Sequence, residues 1–437
     1  MSIELFTLLM FGAFFLLLAA GLPFAWTTFS VAIVFGFILQ GSSIFTYFAY
    51  RTWNVMGAVS FIAIPLFVFM ANMLRYSGIA EDLFNALYHW IGQVKGGLAM
   101  ATTIVCTFLA AMVGTVGAGT TVMGLVALPA MLKRKYNKFL ASGTVMAGGA
   151  LGVMIPPSIF FIIYGINAGL SIGKLFIGGV GPGLVLAVLY ITYIGIRCYL
   201  NPKLGPALPE EERIPLWQKL GLIRAVVLPF ILIIGVLGSI YLGVATTSEA
   251  AGVGAMGAMI CAAARRQLTW QNLQLAVYAT LRTVGLIMWI VFGAMAFVGV
   301  FTLAGGDDFV SGLLYALPLG RWGILIVMQL ILILLGTVLD DTGIVILTVP
   351  IFVPVITALG FDPLWFGVLF CVNMQVAFLS PPFGLALFYL KAVTPPEINI
   401  IDIYRAIAPF IVLQLIGLAL CMVFPAICLW LPNTMIK

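Results

Sequence analysis

Two adjacent acids, Asp340 and Asp341, stand inside an apolar run that reaches from 321 to 358, with Thr337 and Thr342 on either side. A carboxylate in such surroundings is costly, so its presence points to a task by default. A second set of positions does chemistry through the backbone: Pro156 and Pro157 followed by Ser158, and Ser380, Pro381, Pro382, Phe383 and Gly384 further on. A proline pair removes two N–H donors and pushes the preceding residue out of the helical region, which strips partners from carbonyls of the turn before it, around Leu151 to Ile155. A third set is "GTVGAGTT", with Thr115, Gly117, Gly119, Thr120 and Thr121 in the run 97–132. Carboxylate, hydroxyl and carbonyl oxygens are hard donors that suit Na+. Helix N-terminal ends favour an anion instead. One aspartate could also serve as the N-cap of the helix that follows it.

Other chemistries lack their parts. His89 is the single histidine, and the six cysteines occur singly, without a CxxC pair. Histidine-built metal clusters and several-histidine catalysis are therefore excluded, and the cysteines read as small buried hydrophobes. No nucleophile–histidine pair stands out, so the chain is not expected to be an enzyme.

The elements that must hold these groups are membrane helices. The 437 residues are 63% hydrophobic and 8% charged, against roughly 25% charged in soluble domains. Candidate spans are 3–20, 24–40, 55–74, 139–170, 175–199, 224–243, 247–264, 284–303, 363–390 and 408–431. The first run follows Glu4 with no basic segment before it and predicts a retained helix. Runs 97–132 and 321–358 are too long for one crossing and carry Gly, Thr and Pro at their centres, which predicts re-entrant hairpins. Segments 79–92 and 267–282 mix polar and apolar residues at helical spacing and predict interfacial helices. Asp307 and Asp308 are expected to cap a helix starting near Phe309, and Glu249 either to cap or to take part in transport. Trp53, Trp90, Trp270, Trp322 and Trp430 look like interfacial anchors.

The halves also match. Gly114-Thr115-Val116 pairs with Gly336-Thr337-Val338, Pro129 with Pro350, Pro156-Pro157 with Pro381-Pro382 and Tyr164 with Tyr389, at a near-constant separation. This predicts two repeats, 1–200 and 223–437, joined by a polar cytoplasmic linker, 201–222. With the N-terminus outside, all of the 20 Lys and Arg residues except Arg51, Lys174, Arg321 and Lys437 fall inside, a strong positive-inside bias. The repeats are then inverted, and the net charge of +6 reports topology rather than nucleic-acid binding. The predicted fold is an all-α polytopic membrane protein with two re-entrant hairpins (97–132, 321–358) and two discontinuous helices (139–170, 363–390). Broken elements in inverted pairs are the plan of secondary transporters, with half-sites meeting near the midplane.

With "GGALGVMIPPSIFFIIYG", "TTSEAAG" and "LSPPFGLALFYL" in view, the sequence resembles the large membrane subunit of tripartite ATP-independent periplasmic (TRAP) transporters over essentially its whole length. The resemblance implies a Na+-driven importer of a small organic anion, an oxo or hydroxy acid among the candidates, in the bacterial inner membrane with a periplasmic N-terminus. It implies a scaffold and a mobile domain moving as an elevator. It implies two partners, a small four-helix membrane subunit and a periplasmic substrate-binding protein, with no small-subunit sequence fused here and no organic cofactor. Carried onto this chain, Na+ would meet Thr115, Gly117, Gly119, Thr120, Leu151, Ile155, Gly336, Thr337, Asp340, Asp341 and Ser380. The anion would meet Thr121, Pro156, Pro157, Ser158, Thr342, Pro381, Pro382, Phe383 and Gly384. Ser380 stands where the family more often has Thr, and "GTVGAGTT" replaces a more Ser-rich first tip. The alternatives are a stand-alone divalent-anion/Na+ symporter, which shares the two-hairpin layout, and a channel, which the discontinuous helices fit less well.

Overall fold

A computed structural model describes residues 2–212, 214–382 and 384–435, the side chains of 113, 216 and 223–226 excepted. Phe383 lies outside the described residues, as do Arg213 and Lys437 of the charge pattern. Regular structure among the described residues is helical throughout. In chain order the helices are α1 (Ile3–Ala19), α2 (Phe24–Gln40), α3 (Ser43–Gly57), α4 (Ala63–Tyr76), α5 (Ile79–Ile91), α6 (Gly97–Val113), α7 (Val116–Lys133), α8 (Lys138–Met154), α9 (Ile159–Ala168) and α10 (Ile172–Leu200). They continue as α11 (Leu216–Tyr241), α12 (Thr247–Ala264), α13 (Trp270–Leu303), α14 (Gly306–Tyr315), α15 (Arg321–Gly336), α16 (Asp341–Ala358), α17 (Pro363–Leu379), α18 (Leu385–Lys391), α19 (Ile400–Val423) and α20 (Ala426–Asn433). Among the described residues, seven segments are long and apolar enough to cross a bilayer by length and composition.

The centre of the molecule is built from the two interrupted elements. In α8 every residue from Leu140 to Met154 is buried, and in α17 every residue from Leu364 to Leu379. Small residues make this possible, since Gly143, Gly148, Gly149 and Gly152 let α8 lie against backbone and side chains of its neighbours. The second piece of each interrupted element then reaches across to the other half. Helix α9 packs on α16, and α18 packs on α7. The aromatic joint between halves is Phe160 against Phe370 at 5.4 Å, with Tyr164 Oη donating to the Pro363 carbonyl at 3.0 Å.

Several expectations are corrected. The segment 267–282 is not a separate interfacial helix: α13 runs unbroken over 34 residues from an N-cap at Thr269. At 1.5 Å per residue that is about 50 Å, well beyond a hydrocarbon core of roughly 30 Å, so polar first turns lie outside it without any break. The span 55–74 is divided by an extended Ala58 and a 3₁₀ turn before α4 begins at Ala63. The span 408–431 is divided at Phe424–Pro425. Asp307 and Asp308 do not cap: left-handed Gly305 is the N-cap of α14, and the two acids sit in its first turn, where the helix dipole favours them. Helix α3 was not foreseen; its Arg51 donates to the Met295 carbonyl at 3.1 Å. Glu249 closes a capping box with Thr246 at the start of α12, its carboxylate accepting from Thr246 N at 2.8 Å.

Candidate functional site

The run from Gly97 to Lys133 is two helices meeting at a two-residue tip. Helix α6 stops because Gly114 is left-handed (φ 66°), and Thr115 is extended ahead of α7. The tip lies on the first proline break: a Cβ on Gly114 would stand 2.7 Å from the Pro157 carbonyl oxygen, and one on Gly152 would stand 2.8 Å from that of Thr115. Gly149 faces Thr120, and Gly119 faces the Gly149 backbone. Backbone therefore meets backbone across this half, a contact open only to glycine.

In the first break, Ile155 is extended, the Pro156–Pro157 bond is cis, and extended Ser158 precedes α9 without a side-chain cap bond. Leu151 keeps a partner, because Ile155 is the last residue before the prolines with an N–H and closes onto the Leu151 carbonyl at 3.1 Å. The prolines instead deprive Gly152 and Val153 of the helical donor four residues on. Val153 accepts from the Cys371 thiol at 3.5 Å. The hydroxyls of Thr120 and Ser158 are buried and without a hydrogen-bond partner. Buried polar atoms of this kind ask for a partner, a bound ion or water being the usual one, and Ser142 and Thr144 of α8 share the condition.

The second half differs in detail. Helix α15 ends at Gly336, Thr337 donates to the Leu334 carbonyl at 2.7 Å, and Asp340 is the N-cap of α16, accepting from Thr342 N at 3.3 Å. Capping thus occupies Asp340, and Asp341 opens the helix itself. At the second break the Pro381–Pro382 bond is also cis, Gly384 N donates to the Ser380 carbonyl at 2.9 Å, and Ser380 Oγ donates to the Val376 carbonyl at 2.8 Å. Pro381 and Pro382 are exposed, whereas Pro156 and Pro157 are buried.

One cavity of about 120 Å³ joins the two hairpins. Its wall includes Gly114, Thr115 and Gly117 of the first tip and Asp340, Asp341 and Thr342 of the second, closed by Phe160, Phe378 and Tyr389. A larger cleft of about 680 Å³ shares Thr115, Gly117, Thr283, Leu286 and Tyr389 with it and continues between α4 and α13. That cleft is lined by Thr121, Asn72, Arg75, Tyr76, Tyr278 and Arg282. The arrangement separates charge: the carboxylates border the smaller cavity and the guanidinium groups border only the larger cleft. An inner cation and an outer anion are what such a field favours.

Of the positions singled out from sequence, Thr115, Gly117, Asp340, Asp341 and Thr342 share the inner wall, and Thr121 lines the outer cleft. Thr120 and Ser158 are buried beside the first break, and Gly119 packs there without lining either space. Leu151, Ile155, Pro156, Pro157, Gly336, Thr337, Ser380, Pro381, Pro382 and Gly384 line neither cavity. The sequence reading missed Thr283, Arg282 and Leu286 of α13, Arg75 and Asn72 of α4, and Tyr389. A signal for α13 did exist, since "TLRTVG" places polar residues deep in a long helix; treating 267–282 as interfacial hid it. The donors fit a hard cation. Among the described residues no group of three or more His, Cys, Asp or Glu side chains is placed to hold a metal.

Comparison with known proteins reaches nearly the whole chain. The family described as "Tripartite ATP-independent periplasmic transporter, DctM component" matches residues 11–427. A C4-dicarboxylate TRAP transporter large permease of Pseudomonas aeruginosa is 31% identical over 373 residues, 85% of this chain and 86% of that protein. An ectoine/5-hydroxyectoine TRAP transporter large permease of Ruegeria pomeroyi is 30% identical over 378 residues, again 85% and 86% of the two chains. Among solved structures, the Alcanivorax borkumensis YdaH transporter superposes with a TM-score of 0.68 at 14% identity, covering 94% of this chain and 99% of that one. This last likeness concerns fold alone.

Proposed function

The chain belongs to the DctM family of tripartite ATP-independent periplasmic transporters, and from that premise we propose that it carries a small organic anion into the cell together with Na+. As a TRAP large permease it is a multi-pass membrane transport protein that works with a small membrane component and a periplasmic binding component. The single observation that supports the finer reading is the cavity in which Thr115 and Gly117 face Asp340, Asp341 and Thr342 from the opposite hairpin. In this proposal the inner oxygens hold Na+, with Thr120 and Ser158 supplying hydroxyls that are otherwise unpartnered. The outer cleft holds the anion, with Arg75 and Arg282 in its wall.

Coupling follows from desolvation. A buried polar group without a partner costs roughly 2 kcal/mol, so an ion that satisfies two of them in the closed arrangement favours that arrangement by about 4 kcal/mol, near a thousandfold in population. Ion binding at the tips removes that penalty and fixes Thr115 and Tyr389, which also border the anion cleft. An elevator movement of the hairpins and both interrupted helices against α4 and α13 then requires both loads. The substrate class rests on the arginines and the family. Its relatives include a C4-dicarboxylate carrier and an ectoine carrier, so an oxo or hydroxy acid is one member of a wider set of small polar solutes. The stand-alone symporter reading loses its ground with the family membership.

The test is uptake into proteoliposomes holding both membrane components, with the binding protein added outside. An inward Na+ gradient is expected to drive accumulation of an organic acid that the binding protein holds, and removing Na+ to abolish it. Equal accumulation with a proton gradient alone in Na+-free buffer would falsify the coupling.

A further inference from the structure

A second cavity, about 450 Å³, opens on the other side of α8, between the start of that helix, α10 and α19. Asn137, Tyr193, Arg197, Arg405, Pro409 and Phe410 are among its wall. Arg197 is in the last turn of α10 and Arg405 in the second turn of α19. Both belong to connections that the positive-inside pattern places in the cytoplasm. The floor is aromatic: Phe410 meets Tyr193 edge-on at 5.5 Å and Tyr190 at 5.6 Å. Arg197 lies over the Tyr193 ring, 5.9 Å from its centroid, which holds the guanidinium at the rim.

The local charge is only partly cancelled from within, Asp402 acting on Arg405 at a distance without a salt bridge. The carboxylate beside the cavity, Asp402, accepts from Lys138 Nζ at 2.7 Å and from Asn399 N at 3.2 Å, so it is engaged by a different cation and by its own helix end. Among the described residues neither Arg197 nor Arg405 forms a salt bridge. The same two helices leave apolar side chains bare around the opening, with Ile196 and Leu200 exposed on α10 and Ile401 and Val412 on α19. Two guanidinium groups at a water-facing rim, above an aromatic floor and beside lipid-facing aliphatic side chains, match one kind of molecule: a phosphodiester with acyl chains.

We propose that this cavity is a binding site for an anionic phospholipid of the cytoplasmic leaflet, its phosphate between Arg197 and Arg405 and its chains along α10 and α19. Guanidinium forks suit phosphate oxygens bidentately, and basic pockets between membrane helices on the cytoplasmic side take such headgroups. The bound lipid would tie the start of α8, through Asn137 and Phe139, to α10 and α19. Nothing in this site touches the hairpin tips, so it stands apart from the transport reading.

The test is native mass spectrometry of the full-length protein in detergent, titrated with phosphatidylglycerol or with phosphatidylcholine. Wild type is expected to retain phosphatidylglycerol, and the Arg197→Ala/Arg405→Ala double variant to bind it roughly thirtyfold more weakly, the worth of two surface cations near an anionic leaflet. The Arg197→Lys/Arg405→Lys variant should recover a good part, because charge is kept while the fork is lost. Unaltered phosphatidylglycerol adducts in the double alanine variant would overturn the proposal, as would equal retention of phosphatidylcholine. A thermal-shift arm with inorganic phosphate distinguishes the source: protection equal to that from phosphatidylglycerol would reassign the site to a soluble anion and overturn the lipid.

Discussion

The two double-proline breaks share a cis bond and a neighbouring serine, yet they sit in opposite surroundings. The first is buried through Met154 to Ser158, leads into a ten-residue α9, and is pressed by the first hairpin tip through Gly114, Gly149 and Gly152. The second has both prolines exposed, leads into a seven-residue α18, and lies in the half whose tip carries Asp340 and Asp341. Sequence pairing alone would make them equivalent. The structure instead gives one half tight packing and neutral hydroxyls, and the other half charge and access. On the proposed reading this is a division of labour: the first half fixes the geometry of the site, and the second supplies the ionic attraction and the looser wall.

The largest expected effect comes from breaking the tight half. In Gly152→Ala the new methyl would lie 2.8 Å from the Thr115 carbonyl oxygen, and overpacking of this kind costs about 1–3 kcal/mol. Uptake should fall to background, and melting in detergent should drop by several degrees. Gly252→Ala on α12, where a Cβ meets nothing within 4 Å, is the control and should transport normally. The second half makes its matching contact with a side chain, Gly336 facing the Ala377 methyl. Gly336→Ala should therefore be largely rescued by Ala377→Gly, which removes the methyl and leaves the Ala377 Cα, 3.3 Å away, to yield by a few tenths of an ångström. No side-chain change can rescue Gly152→Ala. Rescue in both halves, or in neither, would remove the contrast.

Next in size is the charged tip. Asp341→Asn keeps the shape of the side chain and removes its charge from the inner wall. The Na+ concentration for half-maximal uptake should rise about tenfold or more, equivalent to at least 1.4 kcal/mol of ion binding, with melting temperature held. Thr120→Val in the first half should raise it by less, since a neutral hydroxyl contributes less than a carboxylate. Equal shifts in the two variants would mean that the halves share the ion evenly.

How much of this was legible in the sequence depended on whether the signal was local. Pro156-Pro157 and Pro381-Pro382 stop a helix wherever they stand, so the breaks, the hairpin layout and the acids at the second tip could be read from residue types. Exposure of Pro381 and Pro382, with burial of their counterparts, could not, because each pair has a serine on one side and apolar neighbours, and nothing local separates a buried break from an exposed one. The wall contributed by α4 and α13 was equally hidden. Arg75, Arg282 and Thr283 owe their place in the cleft to packing between distant segments, and a charged residue on an amphipathic stretch looks the same whether it faces a headgroup or a substrate. The Leu151 carbonyl was singled out although Ile155 still has an N–H to offer it, a matter of counting back four residues from the first proline.

The finest distinction between the halves lies in two serines. Ser158 Oγ is buried without a partner, whereas Ser380 Oγ already donates to the Val376 carbonyl four residues back. Removing a buried hydroxyl that bonds nothing relieves a desolvation cost, so Ser158→Ala should leave stability unchanged or raise it by up to about 1 kcal/mol. Removing the Ser380 hydroxyl forfeits a hydrogen bond of the back-bonding type that adds little to a helix, so Ser380→Ala should cost under about 1 kcal/mol. Transport should run the other way. On the proposed reading the Ser158 hydroxyl serves the load, so Ser158→Ala should raise the half-saturating Na+ or substrate concentration a few-fold, with Ser380→Ala near wild type. Melting curves and uptake on the same preparations decide the matter: a destabilised Ser158→Ala protein with normal uptake would show that its hydroxyl serves the fold and not the load.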